Sequence, residues 1–169
     1  NGTLHLESGL LKKHSPKDLC SIIMSYDYDK TKESKEWAAF VMDICNGKQY
    51  RYDKLQLLCG YILMSDCHLQ KCFIFYGTGA NGKSVFMNII SNVFGQENVT
   101  HLQLVDMYDK FQLIQLESAL LNLGEDSGSS LKGGDSELKR LSAGDRVSAC
   151  YKGKDFISFR SRAKLIFAM

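Results

Sequence analysis

The run Gly77-Thr78-Gly79-Ala80-Asn81-Gly82-Lys83-Ser84, set between an apolar stretch and an amphipathic one, constrains this chain more than any other feature. It satisfies G-x-x-x-x-G-K-[ST] at every fixed position, and each position has a physical task. The glycines let the backbone curl tightly and turn several N–H groups toward one anion. Lys83 would bring positive charge to the β- and γ-phosphates, and Ser84 a hydroxyl to Mg²⁺. Cys72 to Tyr76, short, apolar and aromatic, predicts a buried strand before the loop. Val85 to Phe94 predicts a helix after it, with Phe86, Ile89, Ile90 and Val93 on one face and Gly95 just past the end. The N-terminus of that helix points the positive end of its dipole at the same anions. Strand, glycine loop and helix in this order specify an α/β fold with a parallel-sheet core.

Such a loop needs an acidic partner to hold Mg²⁺ and prepare the attacking water. Leu120-Leu121-Asn122-Leu123-Gly124-Glu125-Asp126 has the expected form, an apolar strand ending in carboxylates. At the C-terminal edge of a neighbouring parallel strand, Glu125 and Asp126 would face the loop and share water polarisation and Mg²⁺ ligation. The candidate nucleotide-binding residues are therefore Gly77, Thr78, Gly79, Ala80, Asn81, Gly82, Lys83, Ser84 and Val85. The candidate catalytic residues are Lys83, Glu125 and Asp126, and the metal ligands Ser84, Glu125 and Asp126. ATP and Mg²⁺ are the cofactors this chemistry implies.

The remainder divides into residues 1–69 and residues 70–169. In the first part, Leu4 and Leu6 alternate with polar neighbours, turn at Glu7-Ser8-Gly9 and return at Leu10-Leu11, which predicts a hairpin. Ser15-Pro16-Lys17-Asp18 has the signature of a helix start, with Ser15 as cap and Pro16 at the first position. Two helices are expected, from about Lys32 to Cys45 and from about Tyr52 to Leu69. Trp37, Phe40, Val41 and Ile44 share a face of the first, and Leu55, Leu58, Tyr61 and Ile62 a face of the second. In the second part, strands are expected at Val99–Leu104, Val147–Cys150, Phe156–Phe159 and Lys164–Met169, and helices at Asp106–Leu116 and Asp135–Leu141. Gly128 to Gly134 reads as a Ser/Gly loop, and the helix behind it would be capped by Asp135 or Ser136.

Composition excludes little but directs the rest. Hydrophobic residues make up 44% and charged residues 24%, ordinary for a globular chain. No apolar run approaches the roughly 20 residues that cross a bilayer, and no leader pattern opens the chain. The six cysteines form no C-x-x-C pair, and without a secretory signal reduced thiols and a cytoplasmic setting are expected. Charge is uneven: residues 132–169 carry nine basic and four acidic side chains, whereas residues 69–131 carry three basic and six acidic. A basic segment behind a triphosphate motif points to a polyanionic partner.

Together these stretches resemble a known family. Tyr76 to Phe86 resembles the phosphate loop of superfamily 3 helicases, in the branch of phage- and plasmid-type primase-helicases related to the poxvirus D5-like proteins. Leu120 to Asp126 resembles the compact acidic motif of that family, and Leu138 to Ala149 with Lys152-Gly153-Lys154 its lysine-bearing hairpin segment. Asn1 to Leu4 and His14 to Asp18 resemble the region preceding that ATPase. The resemblance implies an AAA+-like core with a β-hairpin insertion behind a small, mostly helical region. It implies ATP-driven translocation on single-stranded DNA by a homo-oligomeric ring, usually a hexamer, with no membrane role. Lys152 and Lys154 would grip the DNA backbone from the hairpin, and Tyr151 would stack on bases.

The family's next strand ends in an asparagine that senses the γ-phosphate, and Lys164 to Met169 stops short of it, as of the arginine finger beyond. The expectation is a fragment that binds nucleotide but hydrolyses it poorly. Two other readings compete: a P-loop kinase or small-molecule phosphotransferase, which needs an acceptor pocket and an arginine lid, and a nonenzymatic DNA-binding or assembly module.

Overall fold

The computed structural model describes residues 1–125 and 135–169, with the side chain of Asp135 excepted. Asp126, the Ser/Gly loop and the Asp135 cap therefore lie outside the described residues.

The chain opens as expected with an antiparallel hairpin, β1 (Thr3–His5) and β2 (Leu10–Lys12), paired Leu4 to Leu11. Ser15 then caps a turn, its side chain accepting from the Lys17 N–H while Asp18 reaches back to the Ser15 N–H. That helix stops after one 3₁₀ turn, Pro16–Asp18, where Leu19 adopts φ 52°. The start signal is genuine, but no apolar period follows to hold further turns against the core.

The two long helices are present with shifted ends. Helix α1 (Lys35–Ile44) begins at Ser34, whose hydroxyl accepts from the Trp37 N–H. Helix α2 (Gln49–Ile62) starts earlier than the apolar pattern suggests and ends seven residues sooner. Leu58, Tyr61 and Ile62 are buried on its inner face, as the spacing predicts.

Among the described residues the core sheet has four parallel strands: β3 (Cys72–Phe75), β4 (Val99–Thr100), β5 (Leu121–Glu125) and β8 (Lys164–Ala168), in the order β3-β8-β5-β4. The expected α/β fold with a parallel-sheet core is borne out. Helix α3 (Lys83–Phe94) crosses one face, and Phe86, Met87, Ile90 and Phe94 pack there with Leu121, Leu123 and Ile166 of the sheet. Val41 of α1, Cys45 just past its end, and Leu58 and Ile62 of α2 join the same core, so the helical region and α3 share one apolar layer.

The opposite face is covered by the segment around Met107, Leu113, Ile114 and Leu116, and by α5 (Asp135–Ala143) and the hairpin of β6 (Arg146–Ala149) and β7 (Ile157–Arg160). Leu165 and Phe167 point to this face while Ile166 points to the other. Such two-sided burial is the reason β8 reads as a continuous apolar run. The expected helix over 106–116 breaks into a 3₁₀ turn (Val105–Tyr108), the short α4 (Lys110–Leu113) capped by Asp109, and another 3₁₀ turn (Ile114–Glu117).

Three further expectations are corrected. Strand β3 is not buried: among the described residues it pairs only with β8, and Ile74 is 56% and Tyr76 82% exposed. Strand β4 ends at Thr100, because beyond it a side chain replaces the ladder. The Asn122 amide, fully buried, accepts from the Leu102 N–H at 2.9 Å and donates to the Leu102 carbonyl at 3.0 Å. Finally, β5 is not the neighbour of β3. The strand with the most apolar run on both faces, β8, sits between them.

Candidate nucleotide-binding site

Strand β3 ends at Phe75, the loop runs from Tyr76, and α3 begins at Lys83, so the glycine run bridges a strand and a helix as its motif requires. Gly79 and Gly82 take φ of 95° and 80°, and Ala80 takes 47°. These left-handed positions wrap the backbone around the start of α3. Gly77 leaves room for the Asn81 side chain, whose amide a Cβ at that position would displace. The loop's entry is tied to the sheet, since Met169 N–H donates to the Phe75 carbonyl at 2.9 Å and Gly77 N–H to the Met169 carbonyl at 3.3 Å.

The Lys83 ammonium folds back over the loop, donating to the Gly77 carbonyl at 2.9 Å and to Asn81 Oδ1 at 3.0 Å. Both acceptors are neutral oxygens, so an anionic phosphate oxygen, which adds an ion pair to the hydrogen bond, would displace them. Ser84 and Val85 follow in the first turn of α3, both exposed, and Thr78 is exposed in the loop.

A cleft of about 850 Å³ opens beside the loop. Its walls are Ala80 to Lys83 and Ile74 to Tyr76 on one side, and residues of α1, α2 and their connection on the other, among them Phe40, Asp43, Ile44, Arg51 and Lys54.

Glu125 lies at the same end of the sheet. Ala168 of β8 pairs with both Phe75 and Glu125, so the three residues form one row across β3, β8 and β5. Two strand spacings put Glu125 roughly 10 Å from the root of the loop. Its carboxylate is exposed and lines a separate pocket of about 260 Å³ with Met87, Asn88, His101, Gln103 and Leu123. The structure thus sets Lys83, Ser84 and Glu125 along one edge, with the first turns of α3 between the two cavities. Gly124 explains its own place: a Cβ there would meet the Leu102 carbonyl and the Phe167 ring, both at 2.5 Å.

Ser84 and Glu125 are hard oxygen donors of the kind Mg²⁺ prefers. Among the described residues no group of three or more His, Cys, Asp or Glu gathers to hold a metal. All six cysteines are free, and burial pushes the Cys59 and Cys72 thiols up to about 11.

The basic hairpin lies on the face opposite α3, with Val147 and Ala149 of β6 buried against the sheet. Lys152, Lys154 and Tyr151 are exposed in the connection between its strands. Tyr151 is held: its hydroxyl donates to Glu117 Oε2 at 3.3 Å, and the Lys154 ammonium lies 5.5 Å from its ring centroid. The negative charge of Glu117 raises the Tyr151 phenol above its ordinary range. Sequence reasoning missed Glu117, as it missed the cleft wall at Asp43, Arg51 and Lys54. No local pattern marks residues whose role depends on a distant partner.

Residues 75–169, from the end of β3 through β8, match the family described as Family of unknown function (DUF5906). The chain belongs to that family. Residues 1–46 match a second family, described as D5 N terminal like, which bears out the D5-like resemblance of the opening segment. No curated protein matches the sequence. Two solved apo structures of the NrS-1 C terminal region superpose with TM-scores of 0.64 and 0.65, at 13% and 14% identity, over 82% of this chain. The chain spans 33% and 34% of those two structures. At such identities the likeness is one of fold. No helix among the described residues is long and apolar enough to cross a membrane.

Proposed function

We propose that this chain is the nucleotide-binding ATPase core of a replicative DNA helicase of phage or plasmid type. The observation that carries the reading is the Lys83 ammonium, set at the first residue of α3 and held over the loop by two neutral oxygens that a phosphate would replace. Backbone N–H groups of Gly79 to Ser84 would cradle the phosphate chain, and the α3 N-terminus would add its dipole. The Ser84 hydroxyl, with Glu125 and Asp126, would hold Mg²⁺ directly or through water. When bound, Mg²⁺ neutralises charge building between the β- and γ-phosphates. Glu125, exposed at the sheet edge, would accept a proton from the attacking water.

Single-stranded DNA is the proposed second partner. Lys152 and Lys154 would neutralise backbone phosphates, and Tyr151, braced by Glu117, would offer its ring to a base. A homo-oligomeric ring, hexameric as the family resemblance implies, would set these hairpins around one strand.

The test is a titration of Mg²⁺-ATP against the protein and its Lys83→Ala variant. Loss of a charge-assisted bond to phosphate should weaken binding by about tenfold to a hundredfold. Equal affinity in both proteins would defeat the reading.

A further inference from the structure

We propose that α1 and α2 form the nucleoside subsite of the cleft beside the phosphate loop, and that Asp43 selects bases bearing an exocyclic amine. This deepens the proposed nucleotide function and rests on it.

Contact between the helical region and the loop is direct. A Cβ on Gly82 would fall 2.5 Å from Ile44 Cγ2 and 3.6 Å from Phe40 Cε2. The last turns of α1 therefore lie against the loop backbone that would carry the phosphates. The same residues, Phe40 and Ile44, line the cleft together with Leu55 of α2 and Phe86 of α3. At about 850 Å³ the cleft is in the range of complete small-ligand sites, larger than a phosphate chain alone requires.

Its lining combines cations, apolar side chains and one carboxylate. Lys83 stands at the loop end, and Arg51 and Lys54, one helical turn apart on α2, line the opposite wall. Two further cations suit a triphosphate that carries more charge than one lysine balances. Among the residues that line the cleft one is a carboxylate, Asp43, in the last turn of α1 beside Ile44. A carboxylate accepts hydrogen bonds and donates none when ionised. It therefore favours an amino-bearing base edge, as in adenine, and disfavours the carbonyl that uracil presents in that place. The apolar rings and aliphatic groups of Phe40, Ile44 and Leu55 would cover the face of such a base.

The experiment compares ATP, UTP and inorganic tripolyphosphate, each with Mg²⁺, on the wild-type chain and on Asp43→Asn. Asp43 is exposed, so the variant should fold, and thermal melting checks it. The wild type should bind ATP about tenfold more tightly than UTP, and tripolyphosphate more weakly than ATP, the scale of one hydrogen bond to a charged group. Asp43→Asn should narrow the ATP–UTP gap to about twofold while tripolyphosphate affinity changes by less than that. If the three ligands bind alike to the wild type, or the gap survives in Asp43→Asn, the nucleoside subsite is wrong and the phosphate site stands. If none of the three binds, both fall.

Discussion

Ile44 of α1 occupies the space that a side chain at Gly82 would need. A Cβ built on Gly82 lies 2.5 Å from Ile44 Cγ2, and Gly82 itself sits at φ 80°. The second glycine of the phosphate loop is thus constrained twice, by its backbone angle and by a helix nearly forty positions earlier.

Replacing Gly82 with Ala should cost about 2–4 kcal/mol, from the left-handed backbone and from overpacking. Part of this belongs to the pair. In a double-mutant cycle, Gly82→Ala with Ile44→Ala should be less destabilised than the sum of the singles by about 1 kcal/mol, read from urea unfolding. Strict additivity would mean the loop relaxes away from α1.

Asn122 is the second structural device. It bonds both polar groups of Leu102 and accepts from Thr100 Oγ1 at 2.9 Å. Asn122→Leu keeps the shape but leaves a buried N–H and carbonyl unpaired. We expect a loss of about 2–4 kcal/mol. The side chains of His101 and Gln103 should also lose their order, visible as altered His101 resonances.

Lys164 is 1% exposed, donates to the carbonyls of Met64 and Arg162, and lies 4.9 Å from the centre of the Tyr61 ring. Burial lowers its pKa. A lysine whose folded pKa lies below its unfolded value penalises the fold while protonated in both states. That penalty fades as pH rises from the folded pKa toward about 10.4. Buried thiols act oppositely: Cys59 and Cys72, raised to about 11, favour the fold below the unfolded thiol pKa and lose that contribution as pH climbs through 11. The clean measurement is therefore a difference. Wild type minus Lys164→Met stability should rise with pH above neutrality. A flat difference would show that Lys164 titrates as if in water.

If Lys152 and Lys154 each neutralise one phosphate of single-stranded DNA, the double Ala variant should lower the slope of log affinity against log salt by about 1.4, near 0.7 per contact. An unchanged slope would place the DNA elsewhere. Tyr151→Phe, which removes the Glu117 bond but keeps the ring, should leave the slope intact.

Much of this was legible in the residues, and for identifiable reasons. The loop at Gly77 to Ser84 was readable because its glycines, lysine and serine act within eight consecutive positions. The strand at Leu121–Glu125 and the hairpin of β6 and β7 were readable because burial and turn chemistry leave local periodicity. Less legible were β3, whose apolar run suggested burial though Ile74 and Tyr76 face outward, and the Pro16 helix, whose start signal had no apolar face behind it.

By itself, then, the sequence determined the kinds of element, the phosphate loop and the acidic strand, since each depends on neighbours a few residues away. Lateral order was decided only in three dimensions. Strand β8 enters between β3 and β5 because Leu165 and Phe167 can be buried on one face and Ile166 on the other only at an interior position. That choice sets Glu125 two strands from Phe75 and lets Met169 pin Gly77. The wall that Phe40, Asp43 and Ile44 build beside the loop was likewise invisible in the chain. Apolar burial against α3 carries α1 there, and burial is a property of what surrounds a residue.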